Sequence, residues 1–287
     1  MLTRILNDAD SPLIEAFLRK HADGSMILRG NLILDGVEDQ GGRWGGVYAG
    51  AFDERGELRA VAAHYWHSGN LFPQAESDAA LAAAVQCVVA ASGRPVRGLI
   101  GLRALVRRAR AVLGLNEAPA RYDEDEGLYA LELSALREPA LLADPELELR
   151  ALRPSDAELH IAWYRDYDRG LGADDDDELQ ARLRDGFERA LKSGERCLLT
   201  RAGVPSAITN FNARLPDLVQ VGGVYTPPEA RSRGHARAAV ALSLRDARER
   251  GVRRAILFTG EDNLPAIKAY TALGFERIGD FAIVLLR

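Results

Sequence analysis

The chain has 287 residues, a length that suits two domains of ordinary size better than one. Hydrophobic residues make up 47% of it and charged residues 28%, a composition that is typical of folded globular proteins and excludes a disordered chain. The formal net charge of -5 argues against a dedicated nucleic-acid binder, because affinity for phosphate backbones comes mainly from clustered Lys and Arg.

The sequence carries two cysteines, Cys87 and Cys197, and each lies in an apolar run. Buried reduced thiols are therefore expected, and a disulfide framework is not. The first residues lack the long apolar core of a signal peptide, and no stretch reaches the roughly 18 apolar residues of a membrane-spanning helix. These features predict a cytoplasmic protein.

The N-terminal half alternates strand and helix patterns. Its predicted elements are, in chain order, a strand at 4–6, a helix that starts at Pro12, paired strands at 47–52 and 58–66, a turn at 70–78, and a long helix at 77–92. A basic amphipathic helix is predicted at 103–110. The segment 137–146 then brings two prolines, which predicts a boundary between domains at 1–140 and 145–287.

The C-terminal half reads as a strand, two helices, a meander of strands and a long helix. The predicted elements are a strand at 146–152, helices from Pro154 to Tyr164 and at 178–192, strands at 196–200, 206–213 and 218–226, a helix at 234–250, a strand at 254–258, a helix from Asn263 to Gly274, and two strands at 275–278 and 281–286. Ala236, Val240, Leu244 and Ala247 share one face of the long helix, which should pack on the sheet.

The most informative segment is the junction between the third meander strand and this long helix. A helix N-terminus presents free backbone N–H groups and about half a positive charge, and Gly234 and Ala236 let an anion approach that backbone closely. Arg231 and Arg233 add positive charge whose fork geometry suits phosphate oxygens. Neither a P-loop motif nor the G-x-G-x-x-G of a dinucleotide site is present at this turn. The junction therefore predicts a pyrophosphate site.

The Arg-x-x-Gly-x-Ala pattern of residues 231–236 resembles the acyl-CoA signature of the Gcn5-related N-acetyltransferases (GNAT), and the element order of the C-terminal half is similar to theirs. The resemblance implies an α/β (α+β) fold with a mixed, mostly antiparallel sheet flanked by helices, acetyl-CoA as cosubstrate and no metal. It implies that backbone groups of Val224 and Thr226 hold the pantetheine arm. The pyrophosphate is assigned by the same resemblance to the backbone of Arg231, Ser232, Arg233, Gly234, His235 and Ala236, with Asn263 as a further cofactor contact.

Tyr270 occupies the position where many members of that family place the acid that protonates the departing thiolate. A Tyr with a pKa of about 10 is protonated at neutral pH and can donate to a thiolate whose parent pKa is about 8.5. Catalysis otherwise consists of positioning an uncharged amine against the thioester. No general base is assigned, because the strand that ends at Thr226 offers Gln220 and no carboxylate.

The N-terminal half repeats much of this element order, but its matching turn at 70–78 contains two acids and neither Arg nor Gly. Acids there would repel a pyrophosphate. We therefore predict a second, degenerate GNAT-like domain in tandem that has lost cofactor binding; the alternative is an unrelated α/β domain.

Several of these residues have structural interpretations that compete with the functional ones. Asn263 serves equally well as a helix N-cap, and Tyr270 as an aromatic packed between helix and sheet. His235 is expected at the surface, and the acidic run 174–178 as a solvated loop or an acidic helix start. The aromatic residues Trp163, Tyr164 and Tyr167 either line an acceptor site or pack in the core.

The sequence thus predicts an N-acetyltransferase that moves an acetyl group from acetyl-CoA to a primary amine of a small molecule or peptide. The alternative is a non-catalytic acyl-CoA-binding regulator that kept the pocket and lost turnover. Neither nucleic acid nor membrane is expected as a partner. Fold and cofactor site leave the acceptor and the oligomeric state open.

Overall fold

The computed structural model describes residues 1–170 and 175–287 and divides the chain into two units. Unit 1 comprises Met1–Leu128 with Ile278–Arg287, and unit 2 comprises Tyr129–Arg277. This division differs from the predicted boundary at 140–145. The reason is that the residues from Tyr129 onward already pack in the core of unit 2, ahead of the prolines, whereas the last strand of the chain pairs within unit 1.

Unit 1 is a sheet with helices packed against it. Its elements are β1 (Leu2–Ile5), α1 (Ser11–Lys20), α2 (Met26–Asp35), β2 (Gly46–Phe52), β3 (Leu58–Tyr65), β4 (Asn70–Ala75), α3 (Asp78–Ser92), β5 (Gly98–Leu102), α4 (Arg103–Val112) and the first part of β6 (Ala120–Glu132). The strands β1 to β5 lie side by side in chain order, antiparallel except for the parallel pair β4–β5, and the last strand of the chain lies antiparallel beside β5.

Unit 2 has the same kind of architecture. Its elements after β6 are β7 (Leu147–Ala151), α5 (Ala157–Gly170), α6 (Asp177–Ser193), β8 (Arg196–Arg201), β9 (Val204–Arg214), β10 (Leu218–Tyr225), α7 (His235–Glu249), β11 (Arg254–Gly260), α8 (Leu264–Leu273) and the start of β12 (Glu276–Leu286). The strands β7 to β10 form an antiparallel meander, and β11 joins β10 in parallel. The predicted mixed, mostly antiparallel sheet flanked by helices is confirmed.

The sheet of unit 2 carries one apolar core on each face. On one face Val219 and Val221, alternate residues of β10, pack with Val240 and Leu244 of α7. On the other face α5 and α6 cover Leu198 and Ile208. Val240, Leu244 and Ala247 are buried as the helical periodicity predicts, and Ala236 is partly buried. This double packing fixes the start of α7 relative to the end of β10.

The element predictions require two corrections and one addition. Residues 275–278 and 281–286 form the single strand β12, because Gly279 and Asp280 stay extended, with Asp280 paired to Arg103. Residues 70–75 form β4 and not a turn, since they pair with β3 on one side and begin to pair with β5 on the other. Helix α2 was not predicted, because its apolar residues surround it and leave Ile33 and Leu34 exposed.

Among residues 1–170 and 175–287, no helix combines the length and the apolar character needed to cross a membrane.

Candidate active site

The parallel strands β10 and β11 separate near the middle of β10. They pair at three positions, from Leu218 opposite Arg254 to Gln220 opposite Ile256, and no further pairing between them occurs in the described residues. The backbone groups of β10 beyond Gln220 are therefore unpaired on the β11 side. Such groups need hydrogen-bond partners when they are covered, so the gap can hold an extended polar chain.

A bulge in β10 accompanies this separation. The register with β9 shifts between Gly222 and Tyr225, and Gly223 has a φ of +57°. The Tyr164 hydroxyl of α5 donates to the Gly223 carbonyl oxygen at 2.8 Å. A side chain at Gly223 would be strained by this φ, and its Cβ would lie 2.5 Å from the Tyr164 oxygen. The paired glycines thus shape the strand at the gap.

The segment from Thr226 to Gly234 connects β10 to α7. It contains a short 3₁₀ turn at Pro228–Ala230, and Ser232 and Gly234 have φ values of +61° and +79°. Gly234 is the N-cap of α7 and provides no side-chain cap, so the first backbone N–H groups of the helix are left for another acceptor. Arg231, Ser232 and Arg233 are exposed around it. This geometry suits a bound phosphate group.

His235 does not lie at the surface, contrary to the prediction. His235 is only 5% exposed. Burial lowers its pKa, and a hydrogen bond with the Ala230 backbone partly opposes that shift. A neutral imidazole is therefore buried beneath the connection, where it joins the 3₁₀ turn to the first turn of α7. The sequence gives no signal for this, because a first helical turn usually faces solvent.

Arg231 folds back toward β10. Its Nε donates to the Thr226 carbonyl oxygen at 3.0 Å, and its positive charge opposes the rise in the pKa of the Tyr225 hydroxyl. Burial and a hydrogen bond to Asp166 raise that pKa to about 12. The Thr226 hydroxyl is buried and has no hydrogen-bond partner in the described residues. The expected contact of the Arg231 side chain with phosphate would require it to leave Thr226.

Tyr270 lies on α8, partly buried, with its ring 6.0 Å from that of Phe275 in an edge-to-face arrangement. Burial, and to a smaller extent the nearby Tyr167 of α5, raise its pKa well above the usual value. The phenol is therefore protonated throughout the neutral range. Asn263 caps α8 by accepting from the Ala266 N–H at 3.3 Å, which confirms the structural interpretation of that residue.

The aromatic residues of α5 divide between core and surface. Trp163 and Tyr164 are buried in the core beneath α5 and α6, as the packing interpretation predicts, and Tyr167 is partly buried. The acidic run begins α6: Asp176 caps it by accepting from the Leu179 N–H at 2.7 Å. Asp174 lies outside the described residues. An acidic helix start is thus the confirmed interpretation from Asp176 onward.

A contact between buried His160 and half-buried Arg196 was not predicted. Arg196 Nη1 donates to His160 Nε2 at 2.5 Å, and the guanidinium lies 4.0 Å from the centre of the Tyr164 ring. Burial first, and then the Arg196 charge, lower the pKa of His160 to about 4. The two residues are 36 positions apart, so no local pattern connects them.

This pair predicts a specific acid sensitivity of folding. His160 is neutral in both states above its unfolded pKa of about 6.5, but between that value and about 4 only the unfolded chain takes up the proton. The free energy of unfolding should therefore fall as the pH drops through this window, by up to about 3 kcal/mol from this residue. Urea unfolding of the wild type and His160→Gln at pH 7.5 and 4.5 checks it. Equal pH dependence in both proteins would contradict the assignment.

The corresponding junction of unit 1 is closed. β4 ends at Ala75 and α3 begins at Asp78, which leaves two residues where unit 2 has nine. Ser77 caps α3 by accepting from the Ala80 N–H at 3.3 Å, and Glu76 pairs with Arg59. A side chain and an acid thus occupy the helix start, so this junction does not suit a phosphate group.

Comparison with known proteins agrees with this arrangement. Residues 152–275 match the model of the acetyltransferase (GNAT) family. A segment of 61 residues, 20% of this chain, is 41% identical to a mycothiol acetyltransferase of Cellulomonas flavigena. The match covers only 18% of that relative's length, so the likeness concerns a part of each protein.

Solved structures share the fold along nearly the whole chain. A GCN5-related N-acetyltransferase from Sphaerobacter thermophilus aligns over 99% of this chain and 94% of its own, with a TM-score of 0.60 and 16% identity. A tandem GNAT protein from the clavulanic acid biosynthesis pathway aligns over 99% and 97%, with a TM-score of 0.56 and 13% identity. Residues 152–275 are thus similar to the acetyltransferase (GNAT) family, and the solved GNAT structures share the fold of this chain.

Proposed function

We propose that unit 2 binds acetyl-CoA and transfers its acetyl group to a primary amine of a small molecule or peptide. The match of residues 152–275 to the acetyltransferase (GNAT) family model supports group transfer. The observation that carries the proposal is the separation of β10 from β11 beside an uncapped helix N-terminus. Together they offer unpaired backbone groups for an extended arm and N–H groups for a diphosphate.

The cofactor contacts in this proposal are mainly backbone groups. Val224 and Thr226 lie beside the gap and bind the pantetheine arm, and Asn263 is a further contact. The N–H groups of Arg231, Ser232, Arg233, Gly234, His235 and Ala236 surround the pyrophosphate. Because Arg231 already donates to the Thr226 carbonyl, the buried Thr226 hydroxyl is the group of that residue still in need of a partner.

Tyr270 is the proposed acid. When bound, acetyl-CoA supplies a thioester that an amine can attack directly, so no covalent bond to the protein is needed. The protein must then deliver a proton to the departing thiolate, and the protonated phenol of Tyr270 can donate it. The remaining task is to bring the amine, in its uncharged form, against the thioester carbonyl.

We also propose that unit 1 is a degenerate copy of the same fold without cofactor binding. Its element order resembles that of unit 2, and the likeness to a tandem GNAT protein extends over 99% of the chain. The short, acid-bearing junction before α3 supports the loss of the cofactor site. Cytoplasmic location remains a prediction from the sequence.

Two measurements test the function. Calorimetry with coenzyme A and acetyl-CoA should show one site per chain, and release of free thiol from acetyl-CoA should occur with at least one member of a broad amine panel. Mass spectrometry of the product should then show an added acetyl group. Binding without thiol release across the panel would support the regulatory alternative, and absence of binding by well-folded protein would refute both.

A further inference from the structure

A carboxylate of α5 accepts a hydrogen bond from the strand that we assign to the pantetheine arm. The Tyr225 hydroxyl donates to Asp166 Oδ2 at 2.7 Å. Tyr225 stands in β10 between Val224 and Thr226, the two residues that we assign to the pantetheine arm. Asp166 itself is exposed. The contact therefore holds a solvent-accessible carboxylate next to the strand along which the pantetheine arm is proposed to lie.

Asp166 has no ion-pair partner among the described residues, unlike three other aspartates of unit 2. Asp144, Asp156 and Asp168 form ion pairs with Arg201, Arg150 and Arg182 respectively. Arg165 bonds Gln180 and Arg196 bonds His160, while Arg231 bonds the Thr226 carbonyl oxygen and also interacts with the Tyr225 hydroxyl; none of the three forms an ion pair with Asp166 in the described residues. The charge of Asp166 is thus available to a ligand.

Aromatic rings adjoin this carboxylate. Trp163 lies three residues before Asp166, on the same side of α5, and its ring centre is 5.8 Å from that of Tyr225. Tyr167 follows Asp166 and reaches toward Tyr270, whose pKa it helps to raise. Trp163 and Tyr225 are buried and support the carboxylate from beneath, whereas Tyr167 is partly exposed. A carboxylate beside a partly exposed aromatic ring favours an ammonium or guanidinium group.

We propose that Asp166, held by Tyr225, binds a positively charged group of the acceptor other than the reacting nitrogen. The acceptor class is then a diamine or another amine that carries a second cation. This inference rests on the proposed function and further specifies that the acceptor carries a second positive charge. A second cation paired with Asp166 leaves the reacting amine free to lose its own proton.

The test compares two probes that differ in one ammonium group, 1,4-diaminobutane and butylamine. The ratio of their kcat/KM values should favour the diamine by up to about fivefold in the wild type, since an exposed charge contact gives a modest gain. Asp166→Asn should reduce this ratio to near one with unchanged affinity for coenzyme A. The matched control is Asp168→Asn, which removes the same charge two residues along α5 and should keep the ratio.

Binding of 1,4-diaminobutane to protein saturated with coenzyme A gives a second readout that needs no turnover. Calorimetry should detect binding to the wild type and to Asp168→Asn, and binding weaker by up to about fivefold to Asp166→Asn. A preference for the diamine that survives in Asp166→Asn, or a wild type that does not distinguish the probes in either assay, overturns the inference. Failure of coenzyme A itself to bind would instead overturn the proposed function.

Discussion

Replacing Gly234 with Asp should abolish binding of coenzyme A while unit 2 stays folded. The new carboxylate would stand at the N-terminus of α7, where the diphosphate is proposed to bind, and would repel it. The Cβ would meet nothing closer than Leu141 at 3.6 Å, so the fold tolerates the side chain apart from the φ of +79°. Loss of two or more charge-assisted hydrogen bonds should weaken binding at least about 100-fold.

The matched control for this change is Gly251→Asp. Gly251 follows the same helix at its other end, has a φ of +95°, and has no atom within 4 Å of a built Cβ. The Gly251→Asp variant therefore carries the same added charge as Gly234→Asp and a similar backbone strain of about 1–2 kcal/mol. The added charge lies far from the N-terminus of α7. Calorimetry with coenzyme A, with circular dichroism to check folding, should separate the two variants. Similar affinities in both would refute the assignment of the pyrophosphate site.

The second large effect is expected for Tyr270→Phe, which removes one hydroxyl and keeps the ring against Phe275. Loss of a general acid should lower kcat by about 100-fold or more, with the affinity for coenzyme A unchanged. Because burial raises the pKa of Tyr270, the wild type should not lose this acid as the pH rises to about 10. Steady-state kinetics from pH 6 to 10 checks both statements.

Tyr129→Phe provides the control, because Tyr129 is buried in the same apolar core as Tyr270 but has no proposed role in transfer. Its kcat should stay within a factor of about two of the wild type, since the apolar packing is retained. If Tyr270→Phe keeps full turnover, the proton for the thiolate comes from another group. If both variants lose turnover alike, the effect is one of packing.

Local patterns in the sequence were sufficient for the elements around the site. Gly234 marks the start of α7, and Gly251 and Gly274 mark the C-terminal ends of α7 and α8, where a positive φ is common and glycine adopts it without strain. Asn263 caps α8 as predicted. These features depend on neighbours within a few residues, which is why a single sequence reveals them.

The contacts that shape the rest of the site join distant residues. His160 and Arg196 are 36 positions apart, and Asp166 and Tyr225 are 59 apart. Local sequence patterns therefore cannot predict that these residues are in contact. The burial of His235 depends on how the 3₁₀ turn folds beneath the helix. The unit boundary was misplaced for a related reason, since prolines mark a loop and do not reveal which sheet the strand before them joins.

The assignment of Ile278–Arg287 to unit 1 affects how the protein can be dissected. A cut near residue 140 would give a first fragment without the strand that flanks β5 and a second fragment without Tyr129–Leu136, part of which lies in the core of unit 2. Each piece would expose a bare sheet edge and invite aggregation. Cofactor binding is therefore best measured on the intact chain, with single substitutions in place of truncations.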